Sequence, residues 1–192
     1  MTHPAATARA VPVASGMLAA PDAATLRIER AWAVLDEVLD PEVPAVSVRD
    51  LGIVRDVRLA GEALEVVLTP TYSGCPATEV IEHDVLAAIH AAGLGPAYVT
   101  LQRAPAWTTD WITEQGRARL LAYGIAPPGP LPPGTEVPLR FMPRTHAVAP
   151  ALACPRCGSH ETERLSAFGS TACKALYRCI ACREPFEHFK PL

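Results

Sequence analysis

The 192-residue chain has no apolar run approaching the ~18 residues a membrane helix needs, so no segment reads as a span. Its opening stretch has a single Arg and no positive segment joined to a long apolar one. No signal peptide is therefore read there, and residues 1–21 are an expected disordered leader. No Gly-rich cofactor loop is present, and no carboxylate–His set could hold two irons. Internal repeats are also lacking. Basic charge is scarce. Residues 22–126 carry 8 Lys and Arg against 15 Asp and Glu, a net −7, and residues 151–192 carry 6 against 4, a net +2. Counterion-release binding needs many Lys and Arg contacts, so nucleic acid is not an expected partner. No membrane partner is expected either.

What the chain does have is apolar content of 49%, ample for a core, and 20 prolines that cluster. Leu26, Trp32, Leu35, Val38 and Leu39 fall near helical spacing and predict a first helix over 24–39, ended by Pro41. Two strands are expected over 53–59 and 64–69, joined by a turn at Ala60-Gly61-Glu62. Ile53, Val57 and Leu59 would face the core, and Arg55 breaks the alternation. A second helix should start at Pro76, bury Ile81, Val85, Ala88 and Ile89, and stop near Gly93. A third strand over 97–103 precedes a third helix capped by Thr108, Thr109 or Asp110 and ended by Gly124. Gly116 is its weak point. Eight prolines then fall within residues 127–150, which predicts a semi-rigid linker with room for a short strand over 137–142. The expected fold is α+β: a small α-β-β-α-β-α domain over 22–126 with a partly antiparallel sheet, the linker, and a zinc-ribbon-like module over 151–192.

The strongest chemical signal lies in that last module. Cys154 and Cys157 form one Cys-x-x-Cys pair, and Cys179 and Cys182 form another. Two residues between thiolates let a tight turn aim both sulfurs at one ion, and two such turns complete a tetrahedron. Gly158 supplies the positive φ such a turn often needs. So short a segment cannot bury a sizeable core, and bound metal is expected to supply much of its folding free energy. Zn²⁺ suits a closed structural site, while an iron–sulfur cluster also uses four thiolates; the spacing leaves both open. Cys173 reads as a small buried or half-exposed residue rather than a fifth ligand, and His160 and His188 as surface residues. Six cysteines with four in close pairs point to metal in a reducing compartment, hence the cytoplasm.

A second candidate is Cys75, alone in "TYSGCPATEV". If the helix begins at Pro76, Cys75 is its N-cap, where free N–H groups and the helix dipole favour thiolate. From position alone, a buried cysteine packed under the helix is an equal reading. Thr71 and Ser73 either donate hydrogen bonds to a sulfur ligand or shape the loop. Asp40, Glu42 and Asp50 form a tempting acidic set, but turn and cap chemistry explains them at least as well. Trp107 and Trp111 read as core or interface anchors.

Asp40-Pro41-Glu42, Asp50-Leu51-Gly52 and Ser73-Gly74-Cys75-Pro76 resemble the SufT-type domain of iron–sulfur assembly factors. The segment Trp107-Thr108-Thr109-Asp110-Trp111 and the tail "CPRCGS…FGSTACKALYRCIACREPFEHFK" sharpen this to a resemblance to the PaaD (PaaJ) family, the small subunits encoded with phenylacetyl-CoA epoxidase. It covers about residues 26–190. The resemblance implies a non-catalytic accessory role in aerobic phenylacetate breakdown: maturing a metal centre of the epoxidase. Its recipients would be the reductase, with its iron–sulfur cluster, or the di-iron oxygenase. It also implies that Cys75 is functional, as the residue matching the family's SGCP cysteine, and would hold a transient iron–sulfur cluster. The residues leave open whether Cys75 would carry a cluster alone, share one across a homodimer or only relay it. The alternatives are a non-catalytic structural subunit of the epoxidase and, more remotely, a zinc-ribbon nucleic-acid binder.

Overall fold

The computed structural model describes residues 22–72, 74–129 and 152–191. The leader, Ser73, most of the linker and the strand expected over 137–142 lie outside the described residues. Helix α1 (Ala23–Leu35) begins at Asp22, whose carboxylate accepts the Thr25 N–H at 2.7 Å. It ends at Leu35, earlier than the apolar spacing predicts. The reason is a competing pairing: Val38 and Asp40 exchange backbone hydrogen bonds with Val48 and Val46. Val38 thus reaches the core from a loop, and Leu39 is left exposed.

Strands β1 (Val54–Ala60) and β2 (Ala63–Leu68) form the expected antiparallel hairpin. A register shift between Val54 and Asp56 makes Arg55 the extra residue of a bulge. This accounts for its misfit to the alternation: the side chain leaves the sheet and lies over the Trp111 ring, 3.5 Å from its centroid. Strand β3 (Ala97–Leu101) pairs parallel to β2, so the sheet is mixed, in the order β1-β2-β3. Helix α2 (Thr78–Ala91) buries Ile81, Val85 and Ile89 against it, as the spacing predicts.

The segment after β3 is more irregular than expected. A short 3-10 helix (Thr109–Trp111) comes first, capped by Thr108; helix α3 (Glu114–Tyr123) follows, capped by Thr113 and closed by Gly124 at φ 96°. Gly116 is required by packing. A Cβ there would stand 2.8 Å from the Asp50 carbonyl oxygen, so the helix can approach that loop only without a side chain.

Strand β4 (Ile125–Ala126) leaves this domain and pairs parallel with β7 (Pro185–Phe189). With β5 (Thr162–Ser166) and β6 (Lys174–Cys179) it makes a second sheet, ordered β4-β7-β6-β5. The ribbon is therefore docked on the α+β body. Phe189 and Cys173 belong to the body's own hydrophobic core, and Phe189 meets Trp107 with ring centroids 6.0 Å apart. The Trp107 indole N–H donates to the Leu51 carbonyl at 2.9 Å, which ties that contact back to the first domain. Among the described residues no helix is long and apolar enough to cross a membrane.

Candidate metal centre and junction pocket

Two turns build the ribbon's cysteine group. In the first, the Gly158 N–H donates to the Cys154 carbonyl at 2.8 Å, with Gly158 at φ 76°. In the second, the Arg183 N–H donates to the Cys179 carbonyl at 3.0 Å, with Arg183 at φ 69°. The two turns share one geometry, and the second adopts it without glycine, a conformation that costs a side-chain-bearing residue about 1–2 kcal/mol. Cys154 Sγ lies 3.8 Å from Cys182 Sγ, and Cys157 Sγ 3.6 Å from Cys179 Sγ. All four sulfurs fall within 4.8 Å of one another. Metal–sulfur bonds of about 2.3 Å in a tetrahedron put the sulfurs about 3.8 Å apart, so the donor set fits a tetrahedral ion. The Cys182 N–H pulls the Cys179 thiol down to about 7, and the Arg156 N–H points to Cys154 Sγ at 3.4 Å. A bound cation requires thiolates; without one, Cys182 is pushed up to about 12 despite its backbone hydrogen bond with Glu184, by burial and the neighbouring sulfurs.

Cys75 is not the N-cap of α2. That position falls to Ala77, whose side chain offers no cap. Instead the Cys75 carbonyl accepts the Thr78 N–H at 3.2 Å and the Thr78 hydroxyl at 2.9 Å. Tyr72, Gly74 and Cys75 form their own turn first, because the Gly74 and Cys75 N–H groups both donate to the Tyr72 carbonyl. The helix-terminus argument therefore does not apply to this thiol. The turn places Cys75 on the wall of a small, mostly apolar cavity of about 20 Å³ at the junction with the ribbon, which Thr71, Asp40 and Glu42 also line. Room of that size suits one water or one ion.

The remaining acidic residues separate by position. Asp40 is 7% exposed, and its Oδ1 accepts the Glu42 and Val43 N–H groups at 2.9 and 2.8 Å. Burial pushes its carboxyl up despite those two bonds, and burial likewise raises Glu42, with Asp40 adding to the effect. Asp50 does not join them. It accepts Thr113 Oγ1 at 3.0 Å, the Ser47 N–H at 3.2 Å and Arg119 at 2.6 Å, which locks the Asp50-Leu51-Gly52 loop to α3. Gly52, at φ 66°, lies where a Cβ would come within 2.6 Å of the Trp111 carbonyl oxygen. The two motifs thus meet in space.

Two more residues bear on this region: Tyr72, which sequence reasoning passed over and which lies outside the cavity's lining, and Cys173, buried as expected. Tyr72 is pushed up to about 12 by burial, with Cys75, Glu42 and Cys173 adding to it. Its only sequence signal was adjacency to the cysteine motif. Cys173 reaches the same cavity from the ribbon side and is 5% exposed. No local pattern marks it, because its neighbours in the pocket come from the other end of the chain. His188, expected at the surface, is instead buried against Tyr177, and desolvation pushes it down to about 4.

Residues 141–190 match the family described as the PaaD zinc beta ribbon domain, and residues 28–100 match the iron–sulfur cluster assembly protein family. A putative 1,2-phenylacetyl-CoA epoxidase subunit from Escherichia coli (strain K12) is 46% identical over 164 residues, which cover 85% of this chain and 93% of that protein. Among solved structures, a domain of unknown function (DUF59) from Bacillus anthracis aligns with TM-score 0.46 at 24% identity, covering 50% of this chain and 92% of that one. A Mycobacterium tuberculosis protein associated with iron–sulfur complex assembly and repair aligns with TM-score 0.30 at 32% identity, covering 59% and 98%. By its match to the Escherichia coli epoxidase protein over most of both chains, and by its ribbon, this chain belongs to the PaaD family.

Proposed function

We propose that this protein is an accessory factor of a phenylacetyl-CoA epoxidase that helps assemble an iron-containing centre on the reductase or oxygenase component. The observation that carries the reading is the placement of Cys75. Within the span matched to the iron–sulfur assembly family, Cys75 packs against the body's core and lines a small cavity at the ribbon junction together with Asp40 and Glu42. A half-buried thiol of this kind can take up soft metal from one side while the fold holds it on the other. Zn²⁺ at Cys154, Cys157, Cys179 and Cys182 has a different role: it holds the ribbon, and so the far wall of the pocket, in place. Free thiols in such number suit a reducing cytoplasm.

The direct test is to purify the epoxidase components from cells carrying either the wild-type chain or Cys75→Ala and to measure their iron and acid-labile sulfide. The reading expects depleted iron in at least one component with the variant. Full occupancy in every component would refute it.

A second reading is a non-catalytic structural role inside the epoxidase, favoured by the Escherichia coli relative's being named as one of its subunits. It expects this chain to be needed for turnover even when the purified components are already fully metallated. The assembly reading expects such a mixture to work without it.

A further inference from the structure

Thr69 is 1% exposed, and its Oγ1 has no hydrogen-bond partner among the described residues. A buried hydroxyl without a partner is costly, and each such case calls for a ligand or an ordered water. Successive residues of a strand point to opposite faces. Leu68 ends β2 and lines the junction cavity on the core side. Thr69 therefore turns the other way, and there it lines a second cavity of about 60 Å³.

Hydrogen-bond donors surround that space, and no Asp or Glu lines it. Thr71, Tyr72, Arg103 and Trp107 form its walls with Thr69. The backbone N–H groups of Thr71 and Tyr72 have no backbone acceptor among the described residues. Arg103 is exposed and pairs with no carboxylate among the described residues. The Trp107 indole N–H is spent on the Leu51 carbonyl, so its ring closes the cavity without adding a donor. Tyr72 and Arg103 also line an open groove of about 390 Å³ that holds Cys75. Glu79 and Glu82 of α2 line the groove but not the cavity. They disfavour an anion on the helix side and leave the Arg103 end as the place for one.

We propose that this cavity is a carboxylate-binding site beside Cys75, with Arg103 supplying the charge and the Thr69 hydroxyl a hydrogen bond from the cavity floor. A water needs about 10–15 Å³ of such space. The cavity's 60 Å³ therefore takes a group of a few heavy atoms, the size of one carboxylate. A guanidinium presents a planar fork that matches the two oxygens of that group. Binding is non-covalent. That the carboxylate is an acidic side chain of a client protein docked over Cys75, rather than a free small acid, rests on the assembly reading above. The existence of the site does not.

The experiment titrates the full, zinc-loaded chain with sodium acetate, beside sodium chloride at equal ionic strength, and follows amide and indole N–H signals by NMR. Saturable shifts are expected at Thr69, Thr71, Tyr72 and the Trp107 indole with acetate alone. Half-saturation should fall on the order of 1–30 mM, as suits so small a ligand. Arg103→Gln should weaken binding ~10-fold or more, the loss of a charged donor. Thr69→Val should weaken it ~2–10-fold, the loss of one neutral hydrogen bond. Zinc content and unshifted signals elsewhere check the fold of both variants.

Shifts that stay linear to roughly 100 mM acetate, shifts matched by chloride, or wild-type binding by Arg103→Gln would each overturn the site and leave a cavity that holds only water. If acetate binds through Arg103 but epoxidase iron is full in cells carrying Arg103→Gln, the site stands and its use by a client falls. If epoxidase iron is full with Cys75→Ala while acetate still binds, the site stands and the proposed function falls.

Discussion

The ribbon's cysteine group and the junction pocket hold their thiols in opposite ways. In the ribbon, two sequence-local turns bring four sulfurs within 4.8 Å of one another. In the pocket, Cys75 from the body and Cys173 from the ribbon line a small, mostly apolar cavity, with Asp40 and Glu42 also on its wall. Closed four-thiolate sets hold metal for structure, whereas sites that must act keep a coordination position free. On the proposed reading, metal at the four ribbon cysteines fixes the ribbon, and the ribbon in turn supplies one wall of the pocket. The predictions that follow separate those roles.

The largest effect should come from the ribbon itself. Cys179→Ala removes a buried ligand, and structural zinc supplies on the order of 10 kcal/mol to such small modules. Loss of zinc should melt β5 to β7, strip Phe189 from Trp107 and shift Trp107 fluorescence to longer wavelength. Zinc analysis together with the emission spectrum checks this; a zinc-free variant with unchanged emission would mean that the docking does not depend on the metal.

Phe189→Ala should uncouple the two regions while leaving zinc in place. Phe189 is 1% exposed and packs in the body's core. Truncating such a ring costs about 3–5 kcal/mol. Hydrogen exchange should then rise at β4 and β7, with zinc content constant.

Asp50→Asn should cost about 2–3 kcal/mol, at the low end for a broken buried pair because Arg119 is partly exposed. Denaturant midpoints measure it. Metal binding at the pocket should persist below the new midpoint, since Asp50 lies outside that cavity. Loss of pocket binding in folded Asp50→Asn would bring Asp50 into the site.

The smallest effect is a pH dependence at the joint. Burial holds His188 at about 4, below the ordinary value of 6.5. The neutral imidazole is the form that fits the folded state. Its contribution is therefore complete above 6.5 and is lost as pH falls from 6.5 through about 4. From pH 7 to 5 the loss should reach about 2 kcal/mol. His188→Gln should flatten the slope of stability against pH over that interval.

The same contrast explains what could be read from the residues alone. The ribbon was legible because its chemistry is local: Cys-x-x-Cys spacing and Gly158 encode the turn directly. The hairpin, the buried stripe of α2 and the Gly124 stop were legible for the same reason. Long-range competition hid the rest. The end of α1 was set by backbone pairing of Val38 and Asp40 with Val48 and Val46, which periodicity cannot see. The start of α2 moved because the turn at Tyr72 took the first hydrogen bonds. Gly116 looked like a weak point, yet the Asp50 loop requires it. The placement of Cys173 in the body's core lacked a local signal, since it is set by β4 pairing with β7 and by Phe189 entering that core.

The most direct measurement is zinc and iron analysis of the anaerobically purified chain after loading with Fe²⁺ and sulfide and removal of unbound metal, with wild type beside Cys75→Ala. The account predicts one zinc per chain in both, and iron in the wild type that is lost from Cys75→Ala. Iron that remains in Cys75→Ala, or that disappears only when ribbon cysteines are replaced, would contradict it.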